Sequence, residues 1–321
     1  MDCGKCFDCS FSENCPENIK YKKVWEAKVG EFYDKEHYDK IINTSQYGLT
    51  EDGEILFCFI KGAIKQENRQ KYKDIIRGNC KTKTKNRGAS AGPVDLRYFP
   101  KKAVEFCNRH GEPYKDGKDR YSVFYKDADG NVVNRCQSNM VRSGVAGYFD
   151  AIAGLPCRKV GWSNNNPLKH EVLIGLAKEI EENHKVHCNK SYNYHRKKAD
   201  AVPQDLLFED TIYSTMTLNY DFRTASHMDK GDLEGGLSTL TIFEDVPNNY
   251  EGFYTGLPEY KIAFDVRDGD TLIFNAHEFH ANTDFKVLSE KLKIDDLTDN
   301  NFAGRMSVVC YMREKLKLCG K

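Results

Sequence analysis

Leu218-Asn219-Tyr220-Asp221-Phe222-Arg223-Thr224-Ala225-Ser226-His227-Met228-Asp229-Lys230-Gly231-Asp232 is the stretch from which the rest of the chain can be read. It closes a period-two run in which Thr215, Thr217 and Asn219 alternate with Met216, Leu218 and Tyr220. Successive side chains of a strand point to opposite faces, so the run predicts a strand with one apolar face. Beyond it, His227 and Asp229 stand two positions apart, on one face of an extended segment. An imidazole nitrogen and a carboxylate oxygen placed that way can reach one metal ion.

Downstream the same short-strand pattern recurs. Ile262, Phe264 and Val266 alternate with Ala263, Asp265 and Arg267. Leu272-Ile273-Phe274 follows the turn pair Gly269-Asp270, and Met306, Val308, Cys310 and Met312 alternate with Ser307, Val309 and Tyr311. Short strands punctuated by Gly and Asp predict an antiparallel sandwich or barrel. Upstream, Ile55–Ile60 reads as a buried strand after the turn Glu51-Asp52-Gly53. Asn166-Pro167 predicts a helix start, after which Leu173, Leu176, Ala177 and Ile180 share one face. Helices upstream and strands downstream make the fold class α+β. Residues 1–20 read as a separate Cys-rich segment. Residues 21–321 read as one domain, with its strand-rich core at about 205–315.

A metal site needs a third ligand, and His280 follows the predicted strand around Leu272. Two His and one carboxylate leave three coordination positions open, which suits non-heme Fe(II) oxygenases that bind a bidentate co-substrate and O2. Arg305 opens the final strand, and its planar fork can hold the distal carboxylate of 2-oxoglutarate through two parallel hydrogen bonds. His-x-Asp alone arises often by chance. The ordered set His227, Asp229, His280, Arg305 is far more specific. His277, three residues before His280, competes for the third position; His280 is preferred for its setting in His280-Ala281-Asn282-Thr283.

Composition narrows the partners. Lys+Arg and Asp+Glu both number 48, so the chain is not a DNA-wrapping protein, and any nucleic-acid contact must come from a local patch. The N-terminus lacks an apolar signal region, and the longest apolar run is too short to span a bilayer. An intracellular setting, nuclear or cytoplasmic, is therefore expected, with no membrane partner. Most of the twelve cysteines are then expected to be reduced core residues.

The stretch 218–232 resembles the oxygenase domain of the TET/JBP superfamily, the methylcytosine dioxygenases and the thymidine hydroxylases that begin base J synthesis. Gly256-Leu257-Pro258, residues 270–274, His280-Ala281-Asn282-Thr283 and residues 305–311 are similar too. Arg87-Gly88-Ala89-Ser90-Ala91-Gly92 and residues 141–148 resemble the JBP branch. The resemblance implies a double-stranded β-helix core of the jelly-roll, cupin-like kind, with flanking N-terminal helices. It implies Fe(II) on His227, Asp229 and His280, 2-oxoglutarate on Arg305, and O2 as co-substrate. The implied substrate is the 5-methyl group of a pyrimidine in DNA, thymine rather than 5-methylcytosine by the JBP-like wording. The base would be flipped out or single-stranded, because a stacked methyl cannot approach a buried metal. Rival readings keep the chemistry on RNA, a free nucleoside or a protein side chain, keep the fold without catalysis, or place another metal in a cupin-like site.

Several features carry two readings each. Asn219 and Arg223 either orient base or co-substrate or only brace the strand. Arg77, Lys81, Lys83, Lys85 and Arg87, read as part of a loop over 77–92, either contact phosphates or form a solvated face. Cys3, Cys6, Cys9 and Cys15 either hold a structural zinc ion, with an iron–sulfur cluster the lesser alternative, or form a tail with free thiols. His184, His187 and Cys188 read as a surface patch. Residues 285–303 read as a charged insertion, either a lid or DNA-contacting loop or a tolerated surface insertion.

Overall fold

A computed structural model describes residues 19–94, 138–152, 154–288 and 302–319, with the backbone of strands Ala103–Cys107 and Ser122–Tyr125. Cys3, Cys6, Cys9 and Cys15, and most of the 285–303 insertion, lie outside the described residues.

The alternation around Leu218 sets the architecture. Thr215–Tyr220 is a strand, and it pairs antiparallel with Arg305–Tyr311 on one side and Ser143–Phe149 on the other. Across its width the large sheet runs Ile19–Tyr21, Gln46–Thr50, Ile55–Ile60, Thr271–Phe274, Ser238–Glu244, Arg305–Tyr311, Thr215–Tyr220, Ser143–Phe149 and Arg158–Lys159. A smaller sheet runs Ala281–Asn282, Thr255–Leu257, Ile262–Phe264 and Lys40–Ile42. Phe57, Phe59, Leu240, Leu272 and Phe274 of the large sheet pack with Ile42, Leu257, Ile262 and Phe264 of the small one. The two sheets thus face each other across one core, the jelly-roll arrangement of the double-stranded β-helix.

The other face of the large sheet is covered by helices. α1 spans Gln66–Asn79, α2 Gly161–Asn165, α3 Pro167–His187 and α4 Asn189–Ala199. Leu173, Leu176, Ala177 and Ile180 of α3 join Met216, Leu218, Met306, Val308 and Cys310 in one fully buried cluster. Truncating a residue such as Leu218 to alanine there should cost about 2–5 kcal/mol. Each central strand therefore gives alternate residues to the helix side and to the inter-sheet side. Gly144 lets the end of α1 reach the sheet, since a Cβ there would lie 1.6 Å from the Asn79 side-chain oxygen.

The structure departs from the sequence reading at five places. Two edge pairs are parallel, Ile19–Tyr21 with Gln46–Thr50 and Lys40–Ile42 with Ile262–Phe264. Both use strands that arrive by long excursions rather than hairpins, which is what parallel pairing requires. The large sheet also recruits strands well upstream of residue 205. Arg77 lies in α1, which continues to Asn79, so the basic loop begins after it. His184 and Cys188 are fully buried, not superficial. His184 extends the apolar stripe of α3 one turn past Ile180, and its ring nitrogens meet the Tyr213 hydroxyl at 3.0 Å and Ser191 Oγ at 3.2 Å. Finally, Cys157 and Cys319 form a disulfide, whereas Cys58, Cys80, Cys188 and Cys310 are buried thiols as expected.

Candidate functional site

The segment after Tyr220 leaves the sheet, and residues 224–227 lie against residues 280–282. Asn282 donates its backbone N–H to the Thr224 carbonyl at 2.8 Å, and Thr224 Oγ1 donates to Asn282 Oδ1 at 2.8 Å. His227 and His280 pair as an isolated antiparallel bridge. The Asp229 N–H donates to the Ala276 carbonyl at 2.9 Å, which fixes the carboxylate beside the two rings. His227 Nε2 lies 3.8 Å from Asp229 Oδ1, and His280 Nε2 lies 3.6 Å from Asp229 Oδ2. One ligand atom from each of the three residues falls within 4.8 Å of the others.

The hydrogen bonds of the two rings suit a metal. His227 Nδ1 is 2.8 Å from the Ala225 carbonyl, and His280 Nδ1 is 3.0 Å from the Glu278 carbonyl. A carbonyl accepts, so each Nδ1 carries the proton and each Nε2 keeps its lone pair facing Asp229. Burial, reinforced by the neighbouring His280 ring, lowers the His227 imidazole to about 4, so it is neutral and ready to donate at neutral pH. Enclosure would raise the Asp229 carboxyl, but the contact with His280, the neighbouring His227 ring and the Arg87 guanidinium bring it below the ordinary carboxylate range. His277 is elsewhere: its Nε2 faces the Leu233 carbonyl at 3.3 Å, and it lines a separate hollow.

Arg305 shares a cavity of about 610 Å3 with these three residues. Its side chain alternates with the helix-facing Met306, so it points between the sheets, where it is 3% exposed. Its Nη2 donates to Thr255 Oγ1 at 3.2 Å, and its plane lies 4.5 Å over the Phe253 ring. Nε has no hydrogen-bond partner, and among the described residues no carboxylate lies within 4.0 Å of the guanidinium. The nearby Glu244 carboxylate accepts from the Tyr250 hydroxyl at 2.8 Å and faces Arg267 at 3.7 Å. Burial pushes the Arg305 guanidinium below its ordinary value. A buried cation without an ion-pair partner is costly, and an incoming carboxylate would relieve it.

The remaining candidates separate. Asn219 lines the cavity, but its amide is spanned between Ser143 Oγ, which donates to it, and Ser307 Oγ, to which it donates at 3.0 Å. Arg223 is held by Asp34 and by Asp284 at 3.5 Å, and stacks 4.3 Å over Phe32. Arg77 is paired with Asp74 at 3.2 Å and with Asp245. Lys81 and Lys83 are exposed and Lys85 is half-buried. Arg87, grouped with them by sequence, instead lines the cavity and donates to the Gly144 carbonyl at 3.2 Å. Tyr311 and Arg313 also line it. Neither is a candidate site residue by sequence, although both continue the every-second-residue phase of Arg305, Ser307 and Val309. Thr255 carries no comparable signal.

A jelly roll that encloses two histidines, a carboxylate and an unpaired arginine defines the architecture of a metal- and 2-oxo-acid-dependent oxygenase. The Tet_JBP family, described as the "Oxygenase domain of the 2OGFeDO superfamily", matches residues 144–314, and the chain belongs to that family. "Thymine dioxygenase JBP1-B" of Trypanosoma cruzi (strain CL Brener) is 31% identical over 177 residues, 54% of this chain and 20% of that protein. "Bifunctional helicase and thymine dioxygenase JBP2" of Trypanosoma brucei brucei (strain 927/4 GUTat10.1) is 29% identical over 175 residues, 53% of this chain and 15% of that protein. The matched region thus spans a fifth or less of these relatives. A solved structure described as "NgTET1 in complex with 5mC DNA" superposes with a TM-score of 0.50 at 12% identity, covering 94% of this chain and 84% of that one. At that identity the likeness speaks for the fold alone.

Proposed function

We propose that the chain is an Fe(II)- and 2-oxoglutarate-dependent dioxygenase that hydroxylates the 5-methyl group of a pyrimidine base in DNA, thymine in preference to 5-methylcytosine. The observation that carries this reading is the buried Arg305 guanidinium, without a carboxylate partner among the described residues, in one cavity with His227, Asp229 and His280. In this reading His227 and His280 hold iron through Nε2 and Asp229 through its carboxylate. Arg305, with Thr255 beside it, takes the distal carboxylate of 2-oxoglutarate. Iron, O2 and 2-oxoglutarate together supply the oxidising power for hydroxylating a C–H bond, with succinate and CO2 as co-products. The protein's own part is to hold these groups in the cavity and to admit the methyl through its open end. A methyl in a stacked duplex cannot enter, so the base is presented flipped or single-stranded.

Thymine is favoured because the curated relatives are named thymine dioxygenases. A DNA substrate implies an intracellular site of action, in nucleus or cytoplasm; no described helix is long and apolar enough to cross a membrane. The test is succinate release by the iron-loaded protein with DNA, RNA, free nucleoside or peptide present. Selective stimulation by DNA is expected. Stimulation by RNA, nucleoside or peptide but not DNA would keep the metal site and remove the DNA substrate.

A further inference from the structure

A base that enters this cavity leaves a gap in its duplex, and one exposed element beside the cavity mouth is built to meet that gap. The strand Arg305–Tyr311 runs from the buried Arg305 at the cavity floor towards Arg313 at its mouth, where Lys230 is also exposed. Arg313 Nε donates to the Asp150 carboxylate, and its guanidinium lies 5.1 Å over the Phe149 ring. Phe149 and Asp150 lead into the hairpin that joins Ser143–Phe149 to Arg158–Lys159.

Beyond that anchor, Ile152 and Leu155 exchange backbone hydrogen bonds of 3.0 and 2.9 Å. Residues opposite one another in an antiparallel pair put their side chains on the same face. Two aliphatic side chains, 50% and 44% exposed, therefore project together from the hairpin tip. The hairpin is fastened at its base three times: by the pairs Tyr148 with Lys159 and Phe149 with Arg158, by Arg313 on Asp150, and by the disulfide from Cys157 to Cys319. Its charges suit a polyanion. Arg158 and Lys159 stand at its base, 5.5 Å over the Phe149 ring and 5.9 Å over the Tyr148 ring, whereas its acid, Asp150, is buried and neutralised by Arg313.

We infer that Ile152 and Leu155 form an apolar wedge that presses into the base stack of duplex DNA beside the cavity mouth, in the space vacated by the displaced base. Apolar side chains inserted at a base step offset the cost of unstacking it, and Arg158 and Lys159 at the hairpin base add positive charge for the adjoining phosphates. The inference rests on the DNA-base reading above.

The experiment compares wild-type protein with an Ile152→Ser/Leu155→Ser double variant on one thymine-containing oligonucleotide, presented single-stranded or as duplex. Oxidised nucleoside is measured by mass spectrometry. A matched duplex carrying 2-aminopurine next to the target reports unstacking by fluorescence. The double variant should lose about tenfold or more of its activity on duplex, keep its single-strand activity within about twofold, and fail to brighten 2-aminopurine. An Ile152→Val/Leu155→Ile variant should behave as wild type. Equal losses on both DNAs, or undiminished duplex activity, would overturn the wedge while leaving base oxidation standing. No oxidised base from wild-type protein on either DNA would overturn the base-oxidation reading and the wedge with it.

Discussion

His227 and His280 exchange backbone hydrogen bonds, 3.1 Å from His227 N to the His280 carbonyl and 3.0 Å in return. Their rings lie 4.2 Å apart as a consequence. Residues more than fifty positions apart in sequence are thus held by main-chain geometry, and side-chain replacement leaves that geometry in place. His280→Ala should therefore yield folded protein that retains little iron. His277→Ala, altering a ring whose Nε2 faces the Leu233 carbonyl, should retain wild-type iron. Metal content by mass spectrometry after desalting decides between them, and the opposite pattern would move the third ligand to His277.

Arg305→Lys tests the guanidinium. A lysine keeps the charge but cannot offer two parallel donors, so KM for 2-oxoglutarate should rise at least about tenfold. In thermal melts, 2-oxoglutarate with Mn(II) should raise the Tm of wild-type protein and not that of Arg305→Met. Equal shifts in both would place the co-substrate elsewhere.

Stability should depend on pH through Asp221. Burial pushes its carboxyl up to about 7, against backbone N–H groups of residues 303–305 that favour the charged form. The folded chain then holds this proton more tightly than the unfolded chain. Its contribution is full below the ordinary value of 3.8 and is lost as pH rises through about 7. The urea midpoint of wild-type protein should fall between pH 5 and pH 8, and Asp221→Asn should flatten that fall. An unchanged slope in the variant would refute the assignment.

The basic run divides by role. Arg77 pairs with Asp245, whose side chain is 7% exposed and also accepts from the Tyr220 hydroxyl at 2.6 Å. Arg77→Ala should cost about 1–3 kcal/mol of stability by stranding that carboxylate. Neutralising Lys81, Lys83 and Lys85 together should leave stability within about 0.5 kcal/mol but weaken DNA binding and flatten its salt dependence. Binding isotherms at two salt concentrations test this; unaltered affinity at both would assign the lysines to a solvated face.

Much of this was legible because strand periodicity is local. The alternation around Leu218 and Val308 announced both strands and the face each would bury, and the stripe from Leu173 to Ile180 announced α3. His227, Asp229, His280 and Arg305 were legible as an ordered set, and the fold brings all four to one cavity. Arg87 was misgrouped, since sequence shows a charge run but not which member turns inward past Gly144. Arg223 carried no sign of its partners Asp34 and Asp284, because each is far along the chain. His184 looked superficial amid polar neighbours, although its i+4 spacing from Ile180 placed it on the buried stripe. The disulfide between Cys157 and Cys319 joins residues 162 positions apart, a pairing that only the tertiary fold defines.

In the proposed reaction the His227, Asp229 and His280 site oxidises a DNA base. The most direct measurement is nucleoside mass spectrometry of DNA containing thymine and 5-methylcytosine, incubated with the protein, Fe(II), 2-oxoglutarate and ascorbate. An Asp229→Ala variant runs alongside. Hydroxymethyluracil formed by wild-type protein and absent with the variant is the predicted result. Succinate production without any oxidised base would contradict it.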